Sequence, residues 1–324
     1  YKLLIYRRLN VNLTQYCYMM TKQKKLAIVI PAYKATFLAA ALDSIAAQTC
    51  QDFTLYIGDD CSPNNLEEIV DKYRDKINLV YKRFNTNLGG KDLVAQWERC
   101  IDLSHEEKWI WLFSDDDIMQ ENCVEEFYKT IRENPEAGLL HFNINRLDDA
   151  TKEVVSLPLF PKYCSTKMYL DEKLKGHLIS FVVEFVVRRD VFFKCERFQN
   201  FDMAWGSDFI SWVKFSDEAD GIITCDNAKV LWRKSNENIS PDKSNPVLVR
   251  KIYSLIANAK WLLDFTTGKG WANKWFYTKY PLGEIRRNKK LLTGKQRKEL
   301  LDVYIAKIQP SFMARCIIIC LKIF

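Results

Sequence analysis

Short apolar runs that alternate with helically spaced segments set the strongest limit on how this chain folds. Leu26-Ala-Ile-Val-Ile30 contains no polar residue, the pattern of a strand covered on both faces. Residues 37–48 then place Leu38, Leu42 and Ile45 at helical spacing, and Phe53-Thr-Leu-Tyr-Ile57 reads as a second strand. Leu66, Ile69, Val70 and Tyr73 mark a helix, 77–81 a strand, 93–103 a helix and 109–113 a fourth strand. The alternation predicts an α/β fold with a mostly parallel central sheet and helices on both faces. A helix over 123–132 and a strand over 137–145 extend it. Beyond Asp148 the pattern loosens. Strand character is expected over 180–187 and 221–232, and helices over 209–215 and 247–265. The expected units are an N-terminal extension (1–24), one domain (25–245) that divides into a regular half (25–145) and a looser half (146–245), and a C-terminal helical basic tail (246–324).

In such sheets ligands bind beyond the carboxyl ends of the strands. Four polar clusters fall there: Ala32-Tyr33, Asp59-Asp60, residues 85–90, and Ser114-Asp-Asp-Asp117. The last is the most informative. Three adjacent carboxylates after an apolar strand repel one another unless water or a cation compensates. Hard divalent cations, Mg²⁺ or Mn²⁺, favour carboxylate oxygens combined with substrate phosphates. A solvated turn or a helix N-cap is the plainer alternative. For Asp59-Asp60, a carboxylate that reads a base or ribose stands beside an ordinary turn before Pro63.

Taken in order and spacing, Ile28-Val-Ile-Pro-Ala-Tyr33, residues 44–48 with Phe53, Asp59-Asp-Cys-Ser62, residues 87–89 and Ser114-Asp-Asp-Asp-Ile118 resemble a family 2 glycosyltransferase of the GT-A fold. The resemblance is strong over 25–145 and weaker to about 245. It makes the first half the nucleotide-sugar half and the second the acceptor half. Cys61 stands where the family usually has glycine, and Ser114 where it often has Asp. The resemblance implies an inverting, metal-dependent enzyme, Mn²⁺ or Mg²⁺ being the cofactor, of the bacterial surface-polysaccharide type. Pro31, Ala32 and Tyr33 would hold the base and Asp60 would read it, typically uracil. Asp115 would lie near ribose or sugar, Asp116 would contact the cation, and Asp117 would orient the donor sugar or the waters of the metal.

Later positions follow on the same footing. Asp208, in Met203-Ala-Trp-Gly-Ser-Asp208, matches the family's catalytic base, and a helix N-cap from Ser207 or Asp208 is the structural alternative. Trp205 and Trp212 either frame an acceptor sugar or belong to the core. Glu184, within an apolar strand-like run, either meets the acceptor or is satisfied by Arg188 or Arg189. Lys91 is placed near the donor or on a solvated helix start. Arg233 opens a basic, polar stretch, either closing over the diphosphate or forming a surface loop. The expected partners are a nucleotide-sugar donor, most simply a UDP-sugar, and a saccharide or lipid-linked saccharide acceptor. A nucleotidyltransferase is one rival, although Pro31-Ala-Tyr-Lys34 is no glycine-rich phosphate loop. A non-catalytic membrane or nucleic-acid binding module is the other.

Composition bounds the rest. With 48% hydrophobic and 27% charged residues over 324 positions, the chain can bury a substantial core. No apolar run reaches the roughly 18 to 20 residues a spanning helix needs. Ten cysteines without a CxxC pair and three histidines argue for reduced thiols in a cytoplasm rather than zinc or a disulfide framework. Twelve of the Lys/Arg residues and three of the Asp/Glu residues fall in 271–324, so the positive charge is a property of the tail. That tail ends in the apolar stretch 312–324, too short to span. Peripheral contact with the inner membrane face is expected from it, packing in a dimer is its rival, and no nucleic acid is expected. Deletion of 1–19 is expected to leave the fold and donor binding intact. Leu3-Leu4-Ile5, cut short by Arg7-Arg8, is too brief for a signal-peptide core, and a start at Met19 or Met20 would suit the strand that follows.

Overall fold

A computed structural model of the chain describes residues 25–237, 242–310, 315, 316 and 318. The expected extension 1–24 and most of the apolar stretch 312–324 lie outside the described residues. The elements run β1 (Leu26–Ala32), α1 (Leu38–Ala46), β2 (Phe53–Asp59), α2 (Leu66–Val70), β3 (Leu79–Arg83), α3 (Leu93–Ile101), β4 (Trp109–Leu112), β5 (Ile118–Met119), α4 (Cys123–Glu133) and β6 (Leu139–Asp148). They continue through β7 (Val154–Ser156), β8 (Tyr163–Cys164), α5 (Thr166–Lys175), β9 (Phe185–Arg188), α6 (Arg189–Lys194), α7 (Ser207–Glu218) and β10 (Ile222–Lys234). Then follow α8 (Asn245–Gly268), α9 (Lys274–Thr278), α10 (Tyr280–Arg287) and α11 (Gly294–Ile308).

One sheet carries all the strands in the order β3-β2-β1-β4-β9-β6-β10-β5, with β7 on β6 and β8 on β10. The first four strands are parallel. β9 then enters antiparallel between β4 and β6, and β6 and β10 are again parallel across a register shift between Cys225 and Lys229. Alternation along β1 explains the layering. Leu26, Ile28 and Ile30 pack with Leu38, Leu42 and Ile45 of α1 and Phe127 of α4, while Ala27 and Val29 pack with Val94 and Ile101 of α3. Both faces of β1 are thus covered, as its unbroken apolar run requires.

The C-terminal helices are packed, not trailing. Leu262 of α8 and Tyr277 of α9 join the core on the α3 face, and a separate cluster unites α8, α10 and α11 through Ile252, Ile285 and Leu301. No helix among the described residues is long and apolar enough to cross a membrane.

Candidate active site

The strand order reverses between β2-β1 and β4, and the loops after β1 and β4 meet at that switch point. A cleft of about 590 Å³ opens there, lined by Tyr33, Lys34, Asp60, Gly89, Trp97, Asp116 and their neighbours. Its walls are tied by backbone-directed carboxylates. Asp115 Oδ2 accepts the amides of Tyr33 and Lys34 at 2.8 and 2.9 Å. The Asp60 amide donates to the Ala32 carbonyl at 2.9 Å, and the Ser62 hydroxyl to the Tyr33 carbonyl at 2.6 Å. Pro31, Ala32 and Tyr33 line the cleft as expected.

The two acids of the second loop divide their work. Asp59 is fully buried and accepts from the Ser62 amide, the Tyr81 hydroxyl and Arg83. Asp60 lines the cleft, but its oxygens already accept the amides of Leu88 and Gly89 at 2.7 and 2.8 Å, together with the Arg99 guanidinium. Arg99 lies 3.9 Å from the centroid of the Phe84 ring. Asp60 therefore holds the 87–89 loop in place as well as facing the cleft. Glycine is needed at 89 because a Cβ there would come within 2.7 Å of Asp60 Oδ2. Cys61 has φ of 55°, a left-handed conformation that costs a side chain about 1 kcal/mol or more and costs glycine almost nothing. Cys61→Gly should therefore raise the melting midpoint by about 1 °C after the entropy of the unfolded glycine is deducted. A midpoint that falls in thermal unfolding would contradict this.

Among the three consecutive acids the structure separates the roles. Asp115 pins the β1 loop, and Asp117 accepts the Arg233 amide at 2.7 Å. Asp116 accepts the Ser114 hydroxyl and lies 3.4 Å from Lys34 Nζ. Burial, then the charge of Asp116, pushes the Asp115 carboxyl up to about 6 against the pull of the Tyr33 and Lys34 amides. The same two causes raise Asp117 well above the usual range. No helix starts here, since Asp117 leads into the short strand β5, so the N-cap reading falls away. Among the described residues no three His, Cys, Asp or Glu side chains group to hold a metal by themselves. With its two neighbours turned to backbone amides, Asp116 fits a hard cation held jointly with substrate phosphates. Lys34 offers a positive charge at the same place.

A second cavity of about 450 Å³ shares Leu93, Trp97, Phe181, Val182 and Trp232 with the first. Phe181 and Trp232 stack in this common wall at 4.3 Å. Asp208 and Trp205 line the second cavity. α7 begins after Gly206, at φ 81°, with no side-chain cap. Ser207 Oγ accepts the Phe201 amide instead, so neither Ser207 nor Asp208 is the cap the sequence suggested. Burial raises the Asp208 carboxyl, while the Lys173 charge and the amides of Phe209 and Asp208 itself oppose it. Trp205 has the Lys251 ammonium 4.3 Å from its ring centroid. Trp212 is core, stacked on Phe185 at 4.5 Å and donating to the Phe181 carbonyl.

Other expected positions are placed differently. Glu184 sits in the turn before β9, lines neither cavity, and bonds to the Phe181 amide. Neither arginine satisfies it: Arg188 pairs with Asp190, and Arg189 bonds to the Glu107 carbonyl and the Ser104 hydroxyl. Lys91 is exposed and outside the cleft lining. Arg233 lies in β10, not in a closing loop, because pairing with β6 runs on to Lys234. Its buried guanidinium bonds to Asp149 and to the Asp116 carbonyl. Lys34, Arg99, Trp97, Trp232 and Lys173 are the site residues that sequence reasoning missed. Lys34 adjoins Tyr33 and was within reach of the motif, whereas Lys173 carries no signal linking it to Asp208.

The glycosyl transferase family 2 profile matches residues 27–194, just over half of the chain. Poly(ribitol-phosphate) beta-N-acetylglucosaminyltransferase TarS of Staphylococcus aureus is 35% identical over 69 residues, covering 20% of this chain and 12% of that protein. Glycosyltransferase GlyG of Streptococcus pneumoniae is 24% identical over 148 residues, covering 45% of this chain and 48% of its own length. The chain thus spans less than half the length of these curated relatives. The crystal structure of S. aureus TarS 1-349 in complex with UDP aligns with TM-score 0.60 at 15% identity, covering 87% of this chain and 80% of that one. The complex with UDP-GlcNAc gives TM-score 0.53 at 16% identity, with 88% of each chain covered. At these identities the likeness is one of fold.

Proposed function

The chain belongs to glycosyl transferase family 2, and from that premise we propose that it moves a sugar from UDP to a hydroxyl of a saccharide or lipid-linked saccharide, with inversion at the anomeric carbon. UDP-N-acetylglucosamine is the first donor to try, because it is the nucleotide sugar bound in the TarS relative. The observation that carries the reading is the shared wall of Trp97, Phe181 and Trp232 between the two cavities. A donor in the acidic cleft and an acceptor beside Asp208 would meet across it.

In this reading the β1 loop, the 87–89 loop and Asp60 hold the nucleotide. Lys34 faces the diphosphate, and aromatic faces in the common wall present apolar surface to the sugar rings. Asp208 takes the proton of the acceptor hydroxyl as its oxygen attacks the anomeric carbon. The bond from that carbon to the diphosphate oxygen breaks, and UDP leaves from the opposite face. Asp116 would hold a divalent cation, which would supply further positive charge against the leaving group.

Calorimetric titration with UDP, with and without Mn²⁺, tests the donor site. Tighter binding with Mn²⁺ is expected. Asp116→Ala should lose that enhancement and keep most of the metal-free affinity, because Asp60 and the β1 loop are untouched. A wild-type chain that binds no UDP under either condition sinks the donor assignment.

A further inference from the structure

A lysine lines the same cavity as the carboxylate assigned as base, and neither the family motifs nor the chemistry above uses it. Lys173 is on the last turn of α5 and lines the second cavity together with Asp208. Its ammonium donates to the Ser180 carbonyl and hydroxyl, both at 2.8 Å, and Ser180 Oγ also bonds to the Tyr169 hydroxyl at 3.0 Å. Two bonds from one residue hold the charge at the cavity wall, 6.0 Å from the Phe209 ring centroid. We propose, resting on the functional reading above, that Lys173 is a positioning residue for Asp208: a clamped counter-charge that keeps this carboxylate ionised where the acceptor hydroxyl must lose its proton.

Burial lowers the Lys173 ammonium, and the charge of Asp208, followed by that of Glu184, opposes it. From the turn before β9, Glu184 is fully buried with Oε2 unpartnered, and burial pushes its carboxyl up to about 8 against the pull of the Phe181 amide and the Lys173 charge. From β6, His141 is enclosed by Phe160 and Phe185, and burial, then the Lys173 charge, drives it well below its ordinary value, so it is neutral. Tyr169 on α5 itself and Tyr280 on α10 are both raised by burial and stay uncharged. The remaining acids of that turn of α5 are engaged elsewhere, Asp171 with Lys167 and Tyr277, and Glu172 with Lys175 and His177.

Hydrolysis of UDP-N-acetylglucosamine without an acceptor reads this out. Water attacks the anomeric carbon, the bond to the diphosphate oxygen breaks, UDP departs with the electron pair, and Asp208 takes the proton. The ascending limb of rate against pH reports ionisation of the base. Lys173→Met removes the cation, so the Asp208 carboxyl rises further and the limb should move to higher pH by about one unit, about tenfold in rate at any pH on the limb. Lys173→Arg should restore it. Ser180→Ala, which removes a hydroxyl and leaves the charge, should move it the same way by less, and it serves as the deciding variant if Lys173→Met does not fold. A purely structural lysine would change the melting midpoint or the overall rate and leave the limb in place. A wild-type position of the limb in the folded variants overturns the proposal while UDP binding, measured alongside, still stands. A wild-type chain that neither binds UDP nor hydrolyses the donor overturns the functional reading and this proposal with it.

Discussion

Asp208→Asn should lower sugar transfer by about 10²- to 10⁴-fold, the usual contribution of a general base, with UDP affinity close to that of the wild type. Asparagine has the same shape and still accepts from the helix amides, but it offers no carboxylate for the acceptor proton. Donor affinity should hold because the nucleotide cleft is built from other loops, and Asp208 lines the second cavity and not the first. Stability is the control. Had Asp208 been an N-cap, its loss would cost about 1 kcal/mol, but α7 has no side-chain cap. The carboxylate also gives up a burial cost when neutralised, which offsets the lost attraction to Lys173. Donor hydrolysis, UDP titration and thermal unfolding together check this. Turnover near the wild-type rate in a folded variant would remove Asp208 from the chemistry.

The half of the molecule that was legible is the half whose signals are local. The run 26–30 announced a two-faced strand, and the Ser114-Asp-Asp-Asp117 cluster fell at the switch point because it directly follows β4, which pairs with β1 on the side away from β2. Later errors share one cause: contacts that are distant in sequence leave no periodic trace. Phe181-Val-Val-Glu-Phe-Val-Val187 is apolar but for Glu184, yet only Phe185 onward pairs as strand, because Glu184 turns back to the Phe181 amide. Arg233 read as the start of a polar loop, but the partner strand β6 extends to Asp148 and draws it into the ladder. The basic tail hid a further contribution to the site. α8 returns to the second cavity, where Asn258 packs so closely on Gly206 that a Cβ there would lie 2.1 Å from its Oδ1. Glycine at 206 is set by that contact and by its φ of 81°, neither of which the motif reveals.

Asp60→Ala should abolish measurable UDP binding and also destabilise the fold by about 2 to 4 kcal/mol, toward the lower end of what breaking a buried ion pair costs. Sequence reasoning anticipates weakened UDP binding and not the loss of stability, since a base-reading carboxylate on a loop would be free of structural duty. In the structure it is not. Its side chain is 5% exposed and holds Arg99, itself 22% exposed, together with two loop amides. Truncation strands the guanidinium, with the Thr86 carbonyl and the Phe84 ring still beside it, which is why the full cost of an orphaned charge is not expected. It also releases Leu88 and Gly89, so the loop that walls the cleft loses its anchor at the same moment as the nucleotide loses a contact. The double variant Asp60→Ala/Arg99→Ala separates the two effects. Removing the stranded cation should recover part of the stability, whereas UDP binding should stay lost because the loop remains unanchored. Urea unfolding and UDP calorimetry measure the two quantities independently. A single variant as stable as the wild type would show that Asp60 does not hold the loop, and recovery of UDP affinity in the double variant would place the defect in Arg99 rather than in the missing carboxylate.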